Sequence, residues 1–169
     1  MIEPRCPPAL RNLILALAAL GAWLAFWVPG RLAARLAADE ASAVQSLQGI
    51  LGAERAFRSR GPRYSLDLTS LAEAGPPPGA SRLGPDLALG LKDGYRFGTV
   101  ELDEAGRPLD PARRFAYYAS PVSYGDSGRR TFLAGEDGRV YARDLGNSTP
   151  PPAWPADDPL AAGWTPLSP

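Results

Sequence analysis

The sequence contains no histidine, a single cysteine, Cys6, and a single lysine, Lys92. Without histidine, the chain lacks an imidazole for acid–base catalysis, for a Ser-His triad or for a histidine metal site. One cysteine cannot form a disulfide within the chain, so the fold must be held by packing. Cys6 is open to three interpretations: a lipidation site, a bond to another molecule, or an incidental thiol, which is the simplest.

Formal charges of one sign do not dominate, because 18 Lys and Arg residues balance 18 Asp and Glu residues. No basic stripe is present, so we expect no nucleic-acid partner. Gly-rich phosphate loops, CxxC pairs and nucleophile elbows are also missing. We therefore expect no enzyme, no catalytic residue, no cofactor and no metal.

Acidic residues in the turns leave one alternative open, a calcium site. Two groups of acids have the right chemistry but no recognisable ligand spacing, and solvated turn acids are the simpler interpretation. The groups are Asp103, Glu104 and Asp110, and Asp126, Glu136 and Asp137.

A long uncharged run is the most informative feature that is present. Residues 12–30 read NLILALAALGAWLAFWVPG and lie between Arg11 and Arg31. As a helix this run is roughly 28 Å long, close to the ~30 Å hydrocarbon core of a bilayer. The alternative is a cleaved signal peptide, but its apolar region is usually only about 7–15 residues long. We therefore predict that residues 12–30 form a single-pass transmembrane helix. It follows a leader, residues 1–11, which is extended as far as Leu10.

Small side chains in this run allow close helix packing within lipid. The helix-packing candidates are Ala18, Gly21, Ala22 and Ala25. Pro29 completes the set, because it removes a backbone hydrogen bond and predicts a kink or an interruption.

Residues 31–61 predict an amphipathic continuation of the helix, ended by Gly61 and Pro62. Ala and Leu dominate, and one stripe recurs at spacings near three and four residues. The stripe consists of Leu32, Leu36, Ala43, Leu47, Ile50, Leu51, Glu54 and Phe57.

The rest of the chain predicts a connector, a sheet and a tail. Residues 62–93 form the connector, with a short helix capped by Asp67 or Thr69. Residues 94–146 alternate with period two and contain a hairpin signal at 136–138, which predicts an antiparallel meander. Residues 147–169 are rich in proline and carry Trp154 and Trp164. Three interpretations are open for these two side chains: they dock on the domain, they bind a partner, or they lie in a disordered tail and have no role.

Several motifs occur in an order that resembles the type IV pilin and type II secretion pseudopilin superfamily. Residues 39–47 (DEASAVQSL) resemble the NEASAVQSLR stretch of pilin-like proteins, and residues 63–71 resemble their Y-x-SL-x-x-L segment. Residues 94–97 (GYRF), 116–119 (AYYA) and 128–140 (GRRTFLAGEDGRV) resemble their strands and closing hairpin. The resemblance covers roughly residues 12–143.

The resemblance implies an α+β fold, in which a long N-terminal helix packs on a small antiparallel sheet. It also implies a bacterial inner-membrane location, with the domain on the periplasmic side. Its partners are then the lipid bilayer and other pilin-like subunits or secretion and pilus components. Residues 7–12 (PPALRN) depart from the family's prepilin peptidase site, and the glutamate near the start of its helix is absent.

These features predict a membrane-anchored structural or assembly protein, a subunit or accessory of a type IV pilus or type II secretion-like apparatus. The alternative is a monomeric membrane-tethered binding module that recruits a partner through its sheet or through Trp154 and Trp164.

Overall fold

The structure, a computed structural model, describes residues 8–65, 67–75, 83–155 and 159–167. Cys6 and most of the leader lie outside these residues. Within residues 8–29, the side chains that are described are those of Ala9, Asn12, Leu13, Ala16, Leu17, Ala18 and Trp23.

Helix α1 runs from Pro8 to Arg60 and contains 53 residues. It begins earlier than predicted, since residues 8–10 are helical rather than extended. The helical assignment continues through Pro29, so the predicted interruption is not observed. The end is as predicted, because helical structure stops before Gly61 and Pro62.

The chain divides into two compact units, Met1–Arg35 and Leu36–Pro169. The first contains the N-terminal part of α1. In the part of the chain that the structure describes, no helix combines the length and the apolar composition needed to cross a membrane. The prediction that residues 12–30 span a bilayer is not supported by this finding and stays a prediction.

In the second unit, α1 presents the predicted stripe to a core, whereas Leu32, the stripe's first residue, lies in the first unit and is exposed. Ala43, Leu47, Ile50 and Leu51 are buried, and Phe57 is partly buried against the same cluster. Their spacing of three and four residues places them on one side of the helix.

The connector contains two short helices, α2 at Leu68–Glu73 and α3 at Pro85–Ala88. The cap of α2 is Asp67, whose carboxylate accepts a hydrogen bond of 2.7 Å from the Ser70 amide. This decides between the two caps predicted. Helix α3 was not predicted, because a Gly- and Pro-broken run gives no helical period over four residues.

A six-stranded sheet follows, with strands in the order of the sequence. The strands are β1 at Leu91–Lys92, β2 at Tyr95–Thr99, β3 at Ala116–Pro121, β4 at Arg130–Gly135, β5 at Val140–Asp144 and β6 at Thr165–Leu167. All neighbouring strands are antiparallel, as the meander prediction required. The α+β class is thereby confirmed, with β1 and β6 as additional edge strands.

The two faces of the sheet carry separate apolar clusters, because alternate residues of a strand point to opposite faces. Tyr117 and Ala119 of β3 join Leu47 and Ile50 of α1 in the first cluster. Ala116 of β3 belongs to the second, with Leu133, Tyr141, Trp154 and Trp164. Both faces are therefore covered, one by α1 and the other by the C-terminal segment.

Candidate functional site

Exposed apolar side chains mark the N-terminal part of α1. Leu13 is 55% and Leu17 59% exposed, and Ala9 and Ala16 are exposed as well. We call Ala9, Leu13, Ala16 and Leu17 the N-terminal apolar face, because the i, i+4, i+7, i+8 spacing places them on one side of a helix. Contiguous apolar surface of this kind is typical of contact with lipid or with another protein.

Of the helix-packing candidates, Ala18 is exposed. Gly21, Ala22, Ala25 and Pro29 lie on α1, but their side chains are outside the described part of the structure. The prediction that these residues form a helix-packing surface therefore stays a prediction.

Trp154 and Trp164 do not form an exposed site, since each is only 5% exposed. The Trp154 ring lies edge-on to Tyr141, with ring centroids 6.3 Å apart, and its amide donates to the Leu102 carbonyl at 2.8 Å. The docking alternative describes both rings in this structure, and the prediction that they bind a partner stays a prediction.

Glu40 fastens the second unit's part of α1 to the sheet. Its carboxylate accepts backbone hydrogen bonds from Arg129 at 3.0 Å and Arg130 at 3.2 Å. The Arg130 guanidinium donates to the same group at 2.7 and 2.6 Å. Charge-assisted bonds of this geometry fix the position of the β3–β4 loop on the helix.

Glu54 is a second acid on the same helix, and it is fully buried. The Tyr117 hydroxyl donates to it at 2.7 Å and the Ser65 amide at 3.0 Å. Burial raises the pKa of Glu54 above its ordinary 4.5, and the two hydrogen bonds oppose that shift. Burial also raises the pKa of the Tyr117 hydroxyl, helped by the negative charge of Glu54. This carboxylate joins helix, connector and sheet.

The acids considered for calcium serve turns and ion pairs. Asp103 pairs with Arg107 at 2.8 Å, and Glu136 with Arg114 at 2.9 Å. Hydrogen bonds to Asp103 from the backbone amide and side chain of Arg107 lower its pKa. No group of three potential metal ligands occurs among the described residues.

Lys92, the only lysine of the chain, was not among the site residues predicted from the sequence. Its ammonium lies among Ser42, Ser46 and Asp93. Ser42 and Ser46 are one helical turn apart on α1, but nothing in a single sequence shows that β1 lies beside that turn.

The fold defines an α+β protein with a long N-terminal helix and an antiparallel meander. A family model described as "Protein of unknown function (DUF2950)" matches residues 111–156, which include β3, β4, β5 and Trp154. A search of the curated proteins finds no match. The matched part is the centre of the sheet and carries no assigned activity.

Proposed function

We propose that this chain is a membrane-anchored, pilin-like structural protein that assembles through the N-terminal part of α1. The observation that carries the proposal is the N-terminal apolar face, which exposes Leu13 and Leu17. Lipid or a neighbouring helix removes such side chains from water, at about 25 cal/mol per Å² of apolar surface buried.

The second unit supports this proposal, because its core contains no described residue of the first unit. Among the described residues, the first apolar cluster begins at Ala43. No described residue among the first thirty-five therefore belongs to that cluster.

The length of α1 also supports a role as an anchor. A helix of 53 residues is roughly 80 Å long, whereas the average helix in globular proteins has about 11–12 residues. Only its C-terminal half is needed to cover the sheet. A helix of this length is typical of a stalk or an anchor.

Pilin-like assembly is the finer part of the proposal and depends on the motif order. The missing peptidase site and the missing glutamate favour an accessory over a standard filament subunit. An intramembrane carboxylate is costly unless it is paired, so a subunit without one lacks that drive to assemble.

Crosslinking of the full chain in bacterial membranes tests assembly. We expect a ladder of oligomers that Gly21→Leu weakens, since a bulky side chain at a helix–helix contact prevents close approach. Gly52→Leu is the matched control, because a Cβ added at Gly52 meets nothing within 4 Å. It should leave the ladder unchanged.

Sedimentation in mild detergent provides the opposing outcome. A full chain that sediments as a monomer, and gives no ladder in membranes, contradicts assembly.

A further inference from the structure

The Lys92 ammonium is held by three acceptors. Nζ donates to Ser42 Oγ at 3.2 Å and to Ser46 Oγ at 3.1 Å, and it lies 3.4 Å from an Asp93 carboxylate oxygen. Ser46 is 6% exposed, so the cluster reaches into the protein. Asp93 also accepts a bond of 2.5 Å from Ser42, and this bond lowers its pKa.

This arrangement requires a lysine. The chain contains 17 arginines and only this lysine. A compact ammonium with three rotatable donors fits acceptors on three sides, whereas the planar fork of arginine does not. Lys92 thus places a point charge here in a chain whose other basic residues are all arginines.

A cavity of about 340 Å³ adjoins the ammonium. Ser46 and Lys92 line one part of it, and Leu83 and Leu87 provide apolar side chains. Gly49 of α1 completes the wall, and a Cβ added there meets nothing within 4 Å. Pockets of roughly 300–1,000 Å³ with apolar walls and a few convergent polar groups are typical small-molecule sites.

We propose that this cavity binds a small amphipathic carboxylate. The carboxylate contacts Lys92 and the Ser46 hydroxyl, and a short aliphatic chain lies against Leu83 and Leu87. The Lys92–Asp93 ion pair is exchangeable, because both side chains are more than a third exposed and water screens such pairs. A ligand carboxylate replaces Asp93 on the ammonium, while Asp93 keeps its bond to Ser42.

The same geometry does not favour catalysis. A spacing of 3.1 Å fits a serine nucleophile and a lysine base. Here, however, Lys92 contacts Ser42, Ser46 and Asp93 together, which is the surrounding of an ion-pairing group. The cluster is therefore suited to binding a negatively charged ligand and not to catalysis.

The single lysine makes the test selective. Full-length chain labelled with ¹³C only at lysine gives one side-chain Cε resonance, which reports on Lys92. Hexanoate is the probe, acetate lacks the aliphatic chain, and hexan-1-ol lacks the charge. We expect a saturable shift with hexanoate, with half-saturation on the order of 1 mM, and no saturable shift with acetate or hexan-1-ol.

Two glycine variants localise the binding. Gly49→Leu fills the cavity and should abolish saturation, whereas Gly52→Leu makes the same change on α1 and should retain it. Both replacements favour the helix by about 1 kcal/mol, so circular dichroism should show intact folding. The proposal is overturned if hexanoate gives no saturable shift, or if folded Gly49→Leu still saturates.

Discussion

At the scale of single residues, two buried hydroxyl groups stand out. Ser120 and Thr131 have no exposed surface, and within the described structure neither side-chain oxygen forms a hydrogen bond. Ala119 of β3 lies opposite Phe132 of β4. The adjacent residues, Ser120 and Thr131, therefore also lie opposite each other on these two strands. A buried hydroxyl without a partner retains the cost of its lost hydration.

Thr131→Val should therefore raise the free energy of unfolding, by about 1 kcal/mol, because valine has the same shape without the hydroxyl. Urea denaturation measures the change. Thr165→Val on exposed β6 is the control and should stay within about 0.5 kcal/mol. A loss of stability in Thr131→Val would show that the hydroxyl has a partner in solution.

Glu54 predicts a dependence of stability on pH. Its pKa in the folded state is raised above 4.5, so the folded chain binds more protons than the unfolded chain between 4.5 and that higher pKa. Stability from this group is thus fully present below pH 4.5 and is lost as the pH rises through the folded-state pKa.

Denaturation of the wild type and Glu54→Gln from pH 4 to pH 8 isolates this effect. The wild type should lose stability relative to the variant as the pH rises. Glu73→Gln, on the exposed side of α2, should follow the wild type at every pH. A difference between wild type and Glu54→Gln that does not change with pH would contradict the raised pKa.

At the scale of elements, the sequence predicted those parts of the fold in which apolar residues recur at a regular spacing. The amphipathic part of α1 and the antiparallel meander follow from regular spacing and from turn residues, whereas the sequence left both Asp67 and Thr69 open as the cap of α2. The buried Glu54 lies at a stripe position of α1, but its partners Tyr117 and Ser65 come from β3 and the connector. Such contacts depend on tertiary packing, which no local pattern encodes.

The C-terminal segment was the main element that could not be predicted. Its prolines remove periodicity, and strand β6 has only three residues. Trp154 covers Gly135, where an added side chain would approach the ring to 2.8 Å. The segment is held by these isolated contacts, so its composition alone resembled a disordered tail.

Trp154→Ala should lower the free energy of unfolding by about 3 kcal/mol, because it empties the centre of the second apolar cluster. Chemical denaturation followed by circular dichroism measures this loss. Leu89→Ala is the control, since Leu89 is 81% exposed, and it should have little effect. Equal effects of the two substitutions would indicate that the segment does not dock in solution.

At the scale of the whole molecule, the two compact units suggest separate tasks. The second unit has a helix, a sheet covered on both faces, and acids that join them. The first contributes the N-terminal apolar face and no described residue to that core. The uncharged run at residues 12–30 lies within the first unit, and the prediction that it spans a bilayer stays a prediction.

The central claim is that the N-terminal part of α1 anchors the protein, and alkaline carbonate extraction of bacterial membranes tests it most directly. Full-length chain should remain in the membrane pellet, since carbonate releases proteins held only by surface contacts. Release of the folded full-length chain into the soluble fraction would contradict the account.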